Sequence, residues 1–231
     1  MNLFKDACPI KGFPILDSLP WRKEPEVALC DARVLLQPAS LAEELAVWLT
    51  SLTAEQMDRI IDFSVERSTH YKWFLGRQPH GYTVWLHEYK PPEVFAYAIG
   101  FATSVHNHRY SFISRVISGA LNVSAFMAYL NDDHPLVLTG QSRIEQGQTM
   151  FLEHEDIHRI DHVDSHTYTV LIQGPPARDY SICYDPETGV SHRIYDLRSH
   201  LPRTFAHLVE SYGSVAYGKH STSLLPRANN T

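Results

Sequence analysis

Two patterns of apolar and polar residues divide the chain. Between residues 41 and 63, apolar side chains recur every three or four positions, as they do on one face of a helix. From about residue 71 to residue 195, apolar and polar residues alternate, which is typical of β-strands. The patterns therefore predict two short helices followed by a mainly β region.

Each predicted helix begins at a recognisable start signal. Ser40 followed by Glu43, and Thr53 followed by Gln56, both match a capping box. The segment before them, residues 1–38, contains Pro9, Pro14, Pro20, Pro25 and Pro38. This proline content predicts an extended arm on the surface of the domain.

Ten segments of the β region are predicted strands. Turn residues such as Ser118-Gly119 and Gly174-Pro175-Pro176 separate many of them. The predicted strands are 71–75, 82–89, 94–99, 102–107, 109–117, 120–130, 148–152, 157–163, 166–173 and 179–184. Many short strands at such intervals favour a closed or double-sheet β architecture. A further helix is predicted over residues 203–212, followed by a loose or clamped tail.

Composition narrows the class of protein. The 231 residues are 44% apolar, enough for one sizeable core, and the net charge of −6 comes from interspersed residues. This charge pattern favours neither a nucleic-acid partner nor a membrane surface, and no run approaches the ~20 apolar residues of a spanning helix. Three widely spaced cysteines and an N-terminus without the apolar core of a signal peptide predict a cytoplasmic protein.

The strongest chemical signal is a set of three histidines. His106 and His108 are two residues apart at the start of a predicted strand, so both rings point to the same side. His158 lies at the start of another predicted strand. Three imidazoles that converge would bind a metal on one side and leave positions open for substrate and O2.

Other interpretations of these residues stay open. His106 and His108 could lie on a solvent-facing strand. Glu153, Glu155 or Asp156 could supply a carboxylate, which would make a site of two histidines and one acid. His154 and His162 are further candidates for confusion with the ligands. His162 shares a face with His158, so it could orient a ligand or line the pocket, or it could lie at the outer end of the strand.

The segment around His106 and His108 resembles the first motif of the cupin superfamily, in which a turn glycine follows His-x-His after about ten residues. That glycine is Gly119, and Gly147 to His158 is similar to the second cupin motif. Many cupins have a glutamate ligand four residues after the second histidine, where this chain has Phe112. Three histidines without a glutamate are the ligand set of the cysteine dioxygenase-like branch.

Two further segments are similar to that branch. Ile157-His158-Arg159-Ile160-Asp161-His162-Val163 resembles its Leu-His-Arg-Val-Glu-Asn-Val stretch around the third iron ligand. Gly174-Pro175-Pro176 and the later Cys183-Tyr184-Asp185-Pro186-Glu187-Thr188-Gly189 resemble its Ser-Pro-Pro and Phe-Asp-x-x-Thr-Gly turns. The resemblance covers roughly residues 70 to 198. It implies an Fe(II) cofactor and a cupin-type jelly-roll β-barrel with two short N-terminal helices.

The implied organisation has three parts. Residues 1–70 would form the extended arm and the helical pair, 71–198 the barrel, and 199–231 a C-terminal helix and tail. Cupins commonly dimerise through their outer sheets, so a homodimer is an expectation.

The chain also departs from thiol dioxygenases of this branch. Their Ser-His-Tyr series falls here on Thr169, Leu171 and Gln173, and Trp73 stands where they have the arginine that holds the carboxylate of cysteine. No cysteine occurs between residues 109 and 116, where theirs forms a cross-link. These departures imply a substrate other than free cysteine.

The residues of the pocket are predicted from the strand face on which each one lies and from this resemblance. Tyr110 and Phe112 continue the face of the two histidines, and Tyr110 and Gln173 are the candidate catalytic residues. The candidate substrate-binding residues, several on the early strands that line the pocket in the resembling family, are Tyr71, Trp73, His87, Tyr89, Phe112 and Leu171. Such an aromatic wall with few charges favours a small organic substrate less polar than an amino acid.

The resulting hypothesis is an oxygen-dependent non-haem iron oxygenase, with O2 and a small molecule as its substrates. One alternative is a metal-dependent isomerase or lyase, in which the ion acts only as a Lewis acid and Tyr110, His87 or His162 is the base. Another alternative is a non-enzymatic sensor of a small molecule.

Overall fold

The computed structural model describes residues 13–78, 81–128 and 136–195, with side chains from residue 15 onward. The described residues up to Ile194 form one compact unit. The predicted helix over 203–212 and the tail lie outside the described residues. No helix in the described part of the chain is both long and apolar enough to cross a membrane.

The two helices predicted from apolar spacing are confirmed. Helix α3 spans Leu41–Ser51 and α4 spans Ala54–Phe63. At α4 the Thr53 hydroxyl accepts from the Gln56 backbone N–H, and the Gln56 side chain accepts from the Thr53 backbone N–H. The capping box predicted at Ser40 is wrong, because the Ser40 hydroxyl donates to the Glu44 carboxylate at 2.8 Å and caps no backbone group.

The extended conformation predicted for the proline-rich segment is wrong over residues 13–36. Helix α1 spans Phe13–Ser18, α2 spans Pro25–Ala32, and a 3-10 turn spans Arg33–Leu36. Pro25 occupies the first turn of α2, where a residue without a backbone N–H loses no helical hydrogen bond. The segment is part of the core: its fully or almost fully buried side chains are Leu16, Trp21, Ala28, Leu29, Ala32 and Leu36.

Twelve strands account for most of the remaining described residues. They are β1 (Val65–Glu66), β2 (His70–Arg77), β3 (Thr83–Tyr89), β4 (Val105–Asn107), β5 (Tyr110–Ser118), β6 (Ala120–Ala128), β7 (Leu136–Glu145), β8 (Thr149–Leu152), β9 (Ile157–Val163), β10 (Tyr168–Pro176), β11 (Tyr180–Tyr184) and β12 (Ser191–Tyr195). Between β3 and β4 lie the short helix α5 (Pro92–Phe95) and a 3-10 turn (Phe101–Thr103). The predicted turn glycines Gly119 and Gly147 both have positive φ, at 70° and 87°.

Several strand predictions differ from the structure. The strand predicted over 102–107 forms only as β4, after a 3-10 turn, and the short strands β1 and β12 were not predicted. The strand predicted over 94–99 is absent, because Pro91-Pro92 starts α5 there. Strand β7 was missed by the prediction. Nearly all of its residues are exposed, so it shows little of the alternation that marks a half-buried strand.

The strands form two antiparallel sheets of six strands each. The first has the order β1-β2-β3-β10-β5-β8, and the second β12-β11-β4-β9-β6-β7. From β3 to β10, the chain distributes its strands between the sheets in the order of a jelly roll, with β3, β10, β5 and β8 facing β4, β9, β6 and β7. The predicted mainly β, jelly-roll fold is confirmed. Among the described strands it consists of two stacked sheets, and the strands do not close into one hydrogen-bonded ring.

Residue parity gives the first sheet two different faces. The outer face, which includes Val84, Leu86, Ile113, Val170 and Ile172, packs against the N-terminal helices. The inner face looks toward the second sheet. The apolar cluster between the sheets contains Tyr89, Val116, Leu121, Val123, Ile160 and Val163. The inner space between the sheets is also where the three histidines lie.

Candidate metal centre

Adjacent strands of the second sheet bring the three histidines together. His106 on β4 is directly opposite His158 on β9, and opposed residues of an antiparallel pair project to the same face. His108 follows β4 by one residue. The ring centroids are 4.4 Å apart for His106 and His158, 4.8 Å for His106 and His108, and 5.1 Å for His108 and His158. The predicted convergence of the three rings is therefore present.

The orientation of the rings suits a metal ion. The Nδ1 atom of His106 is 2.9 Å from the carbonyl oxygen of Ser104, which requires that Nδ1 carry the proton. The Nε2 atom therefore keeps its lone pair, and it lies 3.2 Å from Nε2 of His108. Two nitrogens bound to one ion at about 2.1 Å are themselves about 3.0–3.4 Å apart. The residues present thus fit a metal ion, and one ligand atom from each histidine lies within 4.8 Å of the others.

Burial keeps these imidazoles neutral. His106 and His158 are 2% and 3% exposed, and His108 is partly buried. Burial, followed by the charge of the neighbouring histidines, holds the pKa of His106 and His108 well below the usual value. Burial also lowers the pKa of His158 to about 4. The neutral form is the one that coordinates a metal, so the site is ready to bind an ion near neutral pH.

Aromatic rings enclose the three histidines. The Phe101 ring is 3.9 Å from the His106 ring, Phe112 is 4.8 Å from His108, and Tyr110 is 5.3 Å from His108. Tyr110 and Phe112 were predicted to lie here, but Phe101 was not, because it lies in a turn without strand periodicity. A wall of aromatic rings excludes water from the ligands.

Arg178, which was not predicted as a site residue, holds the loops that carry the three histidines. Its guanidinium donates to the carbonyl oxygens of His108 and His154, at 2.9 and 3.0 Å. These bonds tie β4 to the turn that precedes β9. Because Arg178, His108 and His154 are far apart in the sequence, no local pattern identifies the role of Arg178.

Among the described residues, no carboxylate lies with the three histidines. The group that could hold a metal ion consists of His106, His108 and His158, as predicted. The Asp156 carboxylate instead accepts from the backbone N–H of Glu153 at 2.8 Å. His154 and His162 lie beside the carboxylates of Glu155 and Asp164, at 3.9 and 3.8 Å. The alternative of two histidines and one acid therefore receives no support from the geometry.

The first sheet brings most, though not all, of the predicted pocket residues to its inner face. Its cross-strand rows place Thr169 opposite His87, Leu171 opposite Trp85, and Gln173 opposite Phe112. Gln173 accepts a hydrogen bond from the Trp85 indole at 3.2 Å. Tyr89, His87, Leu171, Gln173 and Phe112 thus all face the space that contains the histidines. Burial raises the pKa of the Tyr89 phenol, which packs in the apolar cluster between the sheets.

Tyr71 and Trp73, also predicted to line the pocket, lie on the outer face instead. Trp73 is opposite Leu86, packs against the core formed with the N-terminal helices, and donates to the Glu88 carboxylate at 2.8 Å. Tyr71 stacks on Trp73 at 5.5 Å. The strand predicted from the resemblance is correct, but the predicted face of that strand is wrong. The residues of β2 on the inner face are His70, Lys72 and Phe74.

A cavity of about 420 Å³ reaches His158 from the edge of the two sheets. Its wall is largely apolar and includes Val123, Phe126, Ile144, Met150, Leu152 and His158. This volume is within the range of small-molecule pockets, about 300–1,000 Å³. It gives a small organic molecule access to His158.

We predict that the protein loses stability in acid, because several of its histidines are shielded from water and have a lowered pKa. Burial and then the charge of Lys72 lower the pKa of His70 to about 3, against 6.5 for a free histidine. Between these values the unfolded chain binds more protons, so the free energy of unfolding falls as the pH falls from 6.5 toward 3, by up to about 1.4 kcal/mol per pH unit for each such histidine. Urea titrations of the metal-free protein from pH 7 to pH 4 measure this slope.

We expect His70→Asn to reduce that slope by up to about 1.4 kcal/mol per pH unit, because the variant takes up one proton fewer on unfolding. The exposed His162→Asn is the matched control and leaves the slope unchanged. Equal slopes for wild type and His70→Asn would contradict a neutral, partly buried His70.

Comparison with known proteins gives distant similarities. No protein-family model matches the sequence, and no curated protein matches it. The chain is similar to solved structures of KdgF from Halomonas sp. (13% identity, 50% of this chain and 89% of that one, TM-score 0.36). It is also similar to the DMSP lyase DddQ from Ruegeria pomeroyi (12%, 59% and 57%, TM-score 0.36) and to an RmlC-like cupin from Shewanella frigidimarina (20%, 50% and 83%, TM-score 0.32). Since each TM-score is below 0.5, the jelly-roll assignment rests on the strand order given above.

Proposed function

We propose that this chain is a non-haem iron oxygenase of the dioxygenase type, which acts on a small organic substrate other than free cysteine. The observation that carries the proposal is the convergence of three neutral imidazoles, with the Nε2 atoms of His106 and His108 only 3.2 Å apart. His106, His108 and His158 would hold the ion. When bound there, Fe(II) supplies open coordination positions and electron transfer to O2.

The other residues of the site would prepare it for this chemistry. Ser104 holds the tautomer of His106 through its carbonyl oxygen. Phe101 and Phe112 shield the imidazoles from water, and the cavity at His158 admits the substrate. Tyr110 lies beside His108 and could hold or move a proton at its phenolic oxygen. Three neutral ligands would leave the positive charge of the ion uncompensated, so the site would favour a substrate with a negative charge.

One experiment tests the iron site directly. Purified protein is loaded anaerobically with Fe(II), nitric oxide is added in place of O2, and the electron spin resonance spectrum is recorded. We expect the high-spin signal of an iron-nitrosyl species, which shows an iron ion with an open position. Tight binding of zinc with no iron-nitrosyl signal would overturn the oxygenase proposal.

A second candidate function is a metal-dependent isomerase or lyase in which the ion is a Lewis acid only. Such an enzyme needs a general base near the metal, and Tyr110, whose ring lies 5.3 Å from that of His108, is the candidate. Oxygen dependence separates the two functions. An isomerase or lyase turns over its substrate without O2 and with zinc or nickel in place of iron.

A further inference from the structure

The cavity of about 420 Å³ that reaches His158 shares a wall with the metal centre. Leu152 of β8 lines the cavity and is opposite Phe112, whose ring packs on that of His108. Met150, two residues earlier on the same strand, also lines the cavity and packs against the apolar cluster between the sheets. The first sheet therefore gives the cavity an apolar side.

On the second sheet, the residues beside His158 are small. Ala125 of β6 is directly opposite His158, and Gly140 of β7 is opposite Ala125, so the three residues form one cross-strand row. Ala125 lines the cavity and is exposed, although residues of one row project to the same face. The space next to His158 is thus left open by the side chains of its own row.

The glycine in this row has no backbone reason to be a glycine. The pairing of β6 with β7 shifts register next to Gly140, but its φ does not lie in the left-handed region. A Cβ atom added at Gly140 would meet nothing within 4 Å. Glycine weakens the interior of a strand, and one of its uses there is to let a ligand approach closely. The open space at Gly140 therefore indicates room for a ligand.

The charges at the cavity favour an uncharged molecule. Among the described residues that line it, Asp156 is acidic and none is a lysine or an arginine. An anion placed there would lose its hydration without gaining a cationic partner. Thr139 and Ser142 add hydroxyl groups, which can bond to a neutral polar atom.

We propose that the substrate is a hydrophobic molecule with an uncharged aromatic or branched aliphatic body, and that this body lies against the row of His158, Ala125 and Gly140. Ala125 and Gly140 determine specificity, because a larger side chain at either position would fill the space that the body needs. The inference rests on the proposed function, which makes the bound molecule a substrate. The negative charge favoured by three neutral ligands is then confined to the donor atom at the ion.

Calorimetric titration of the metal-free protein tests this assignment. The probes are 2-naphthalenemethanol and 2-naphthoate, which have the same ring system and differ in charge. We expect the alcohol to bind and the carboxylate to bind at least about tenfold more weakly, because its charge would be buried without a partner. Equal or stronger binding of the carboxylate, or no binding of the alcohol, would overturn the proposal.

Ala125→Phe tests the position of the ligand. The new ring would occupy the space opposite His158, so we expect the alcohol to bind at least about tenfold more weakly. The matched control is Ala128→Phe, an exposed position on the other face of the same strand, which should leave binding unchanged.

Gly140→Val separates a binding role from a structural one. A β-branched residue favours a strand, so the urea midpoint should stay the same or rise, while the alcohol binds about tenfold more weakly. If Ala125→Phe does not fold, as judged by circular dichroism, Gly140→Val decides alone. Unchanged alcohol binding in either variant, once folded, would show that the body does not lie against this row.

These outcomes are separate from those of the nitric oxide experiment, because the titration needs no metal. An iron-nitrosyl signal without binding of the alcohol would refute the assignment of the cavity and leave the oxygenase. Binding of the alcohol without an iron-nitrosyl signal would do the reverse.

Discussion

His106→Ala is expected to bind Fe(II) or Zn(II) at least about 100-fold more weakly than the wild-type protein. The loss of a partner that only orients a ligand already costs about 10–100-fold in affinity, and His106 is a ligand itself. Its ring centroid is 4.8 Å from that of His108 and 4.4 Å from that of His158. Anaerobic competition against a chromophoric chelator measures the affinity.

The matched control is His162→Ala, on the same strand as His158 but exposed to solvent. It should bind metal as the wild type does. In the nitric oxide experiment, the iron-nitrosyl signal should persist in the control and vanish in His106→Ala. Retention of wild-type affinity by His106→Ala would show that these three imidazoles do not form the metal site.

Trp21→Ala is expected to lower the free energy of unfolding by about 3–5 kcal/mol. Trp21 is 2% exposed, its indole donates to the Leu16 carbonyl at 2.6 Å, and its ring packs on Tyr82 at 5.3 Å. Truncation would leave a cavity where the N-terminal helices meet the outer face of the first sheet. Urea denaturation of the metal-free protein measures the effect.

Two variants make this measurement specific. Trp21→Phe keeps a ring but loses the indole hydrogen bond, so an intermediate loss is expected. Val34→Ala removes an apolar side chain that is 64% exposed and should change stability by less than about 0.5 kcal/mol. If Trp21→Ala and Val34→Ala behaved alike, residues 13–36 would be a surface arm, as their proline content alone suggests.

The convergence of His106 and His108 was predictable from the sequence because the geometry of this pair is local. His106 and His108 are two residues apart at a strand, and this spacing alone directs two rings to one side. His158 was found by its resemblance to a known motif, and its position opposite His106 depends on the pairing of β4 with β9. That pairing joins residues about fifty positions apart, and no local preference encodes it.

The errors have a shared physical origin. The burial of α1 and α2, the inward direction of Lys72 and the pairing of β7 with β6 all depend on contacts between distant segments. Proline content suggested an extended arm, yet the apolar side chains of residues 13–36 are buried on the outer face of a sheet. A shift of one residue in parity was enough to exchange Lys72 for Trp73 in the predicted pocket.

The sequence by itself determined the elements whose signals are contained within a few residues. These are the two helices α3 and α4, most of the strands, the turn glycines and the histidine pair, since hydrogen bonding, capping and side-chain periodicity act over one or two turns. The tertiary structure alone decided which face of each strand is inside, which helices cover the outer face, and which polar groups surround the metal centre. Those choices follow from burying the most apolar surface of the whole chain at once, and this condition cannot be evaluated one segment at a time.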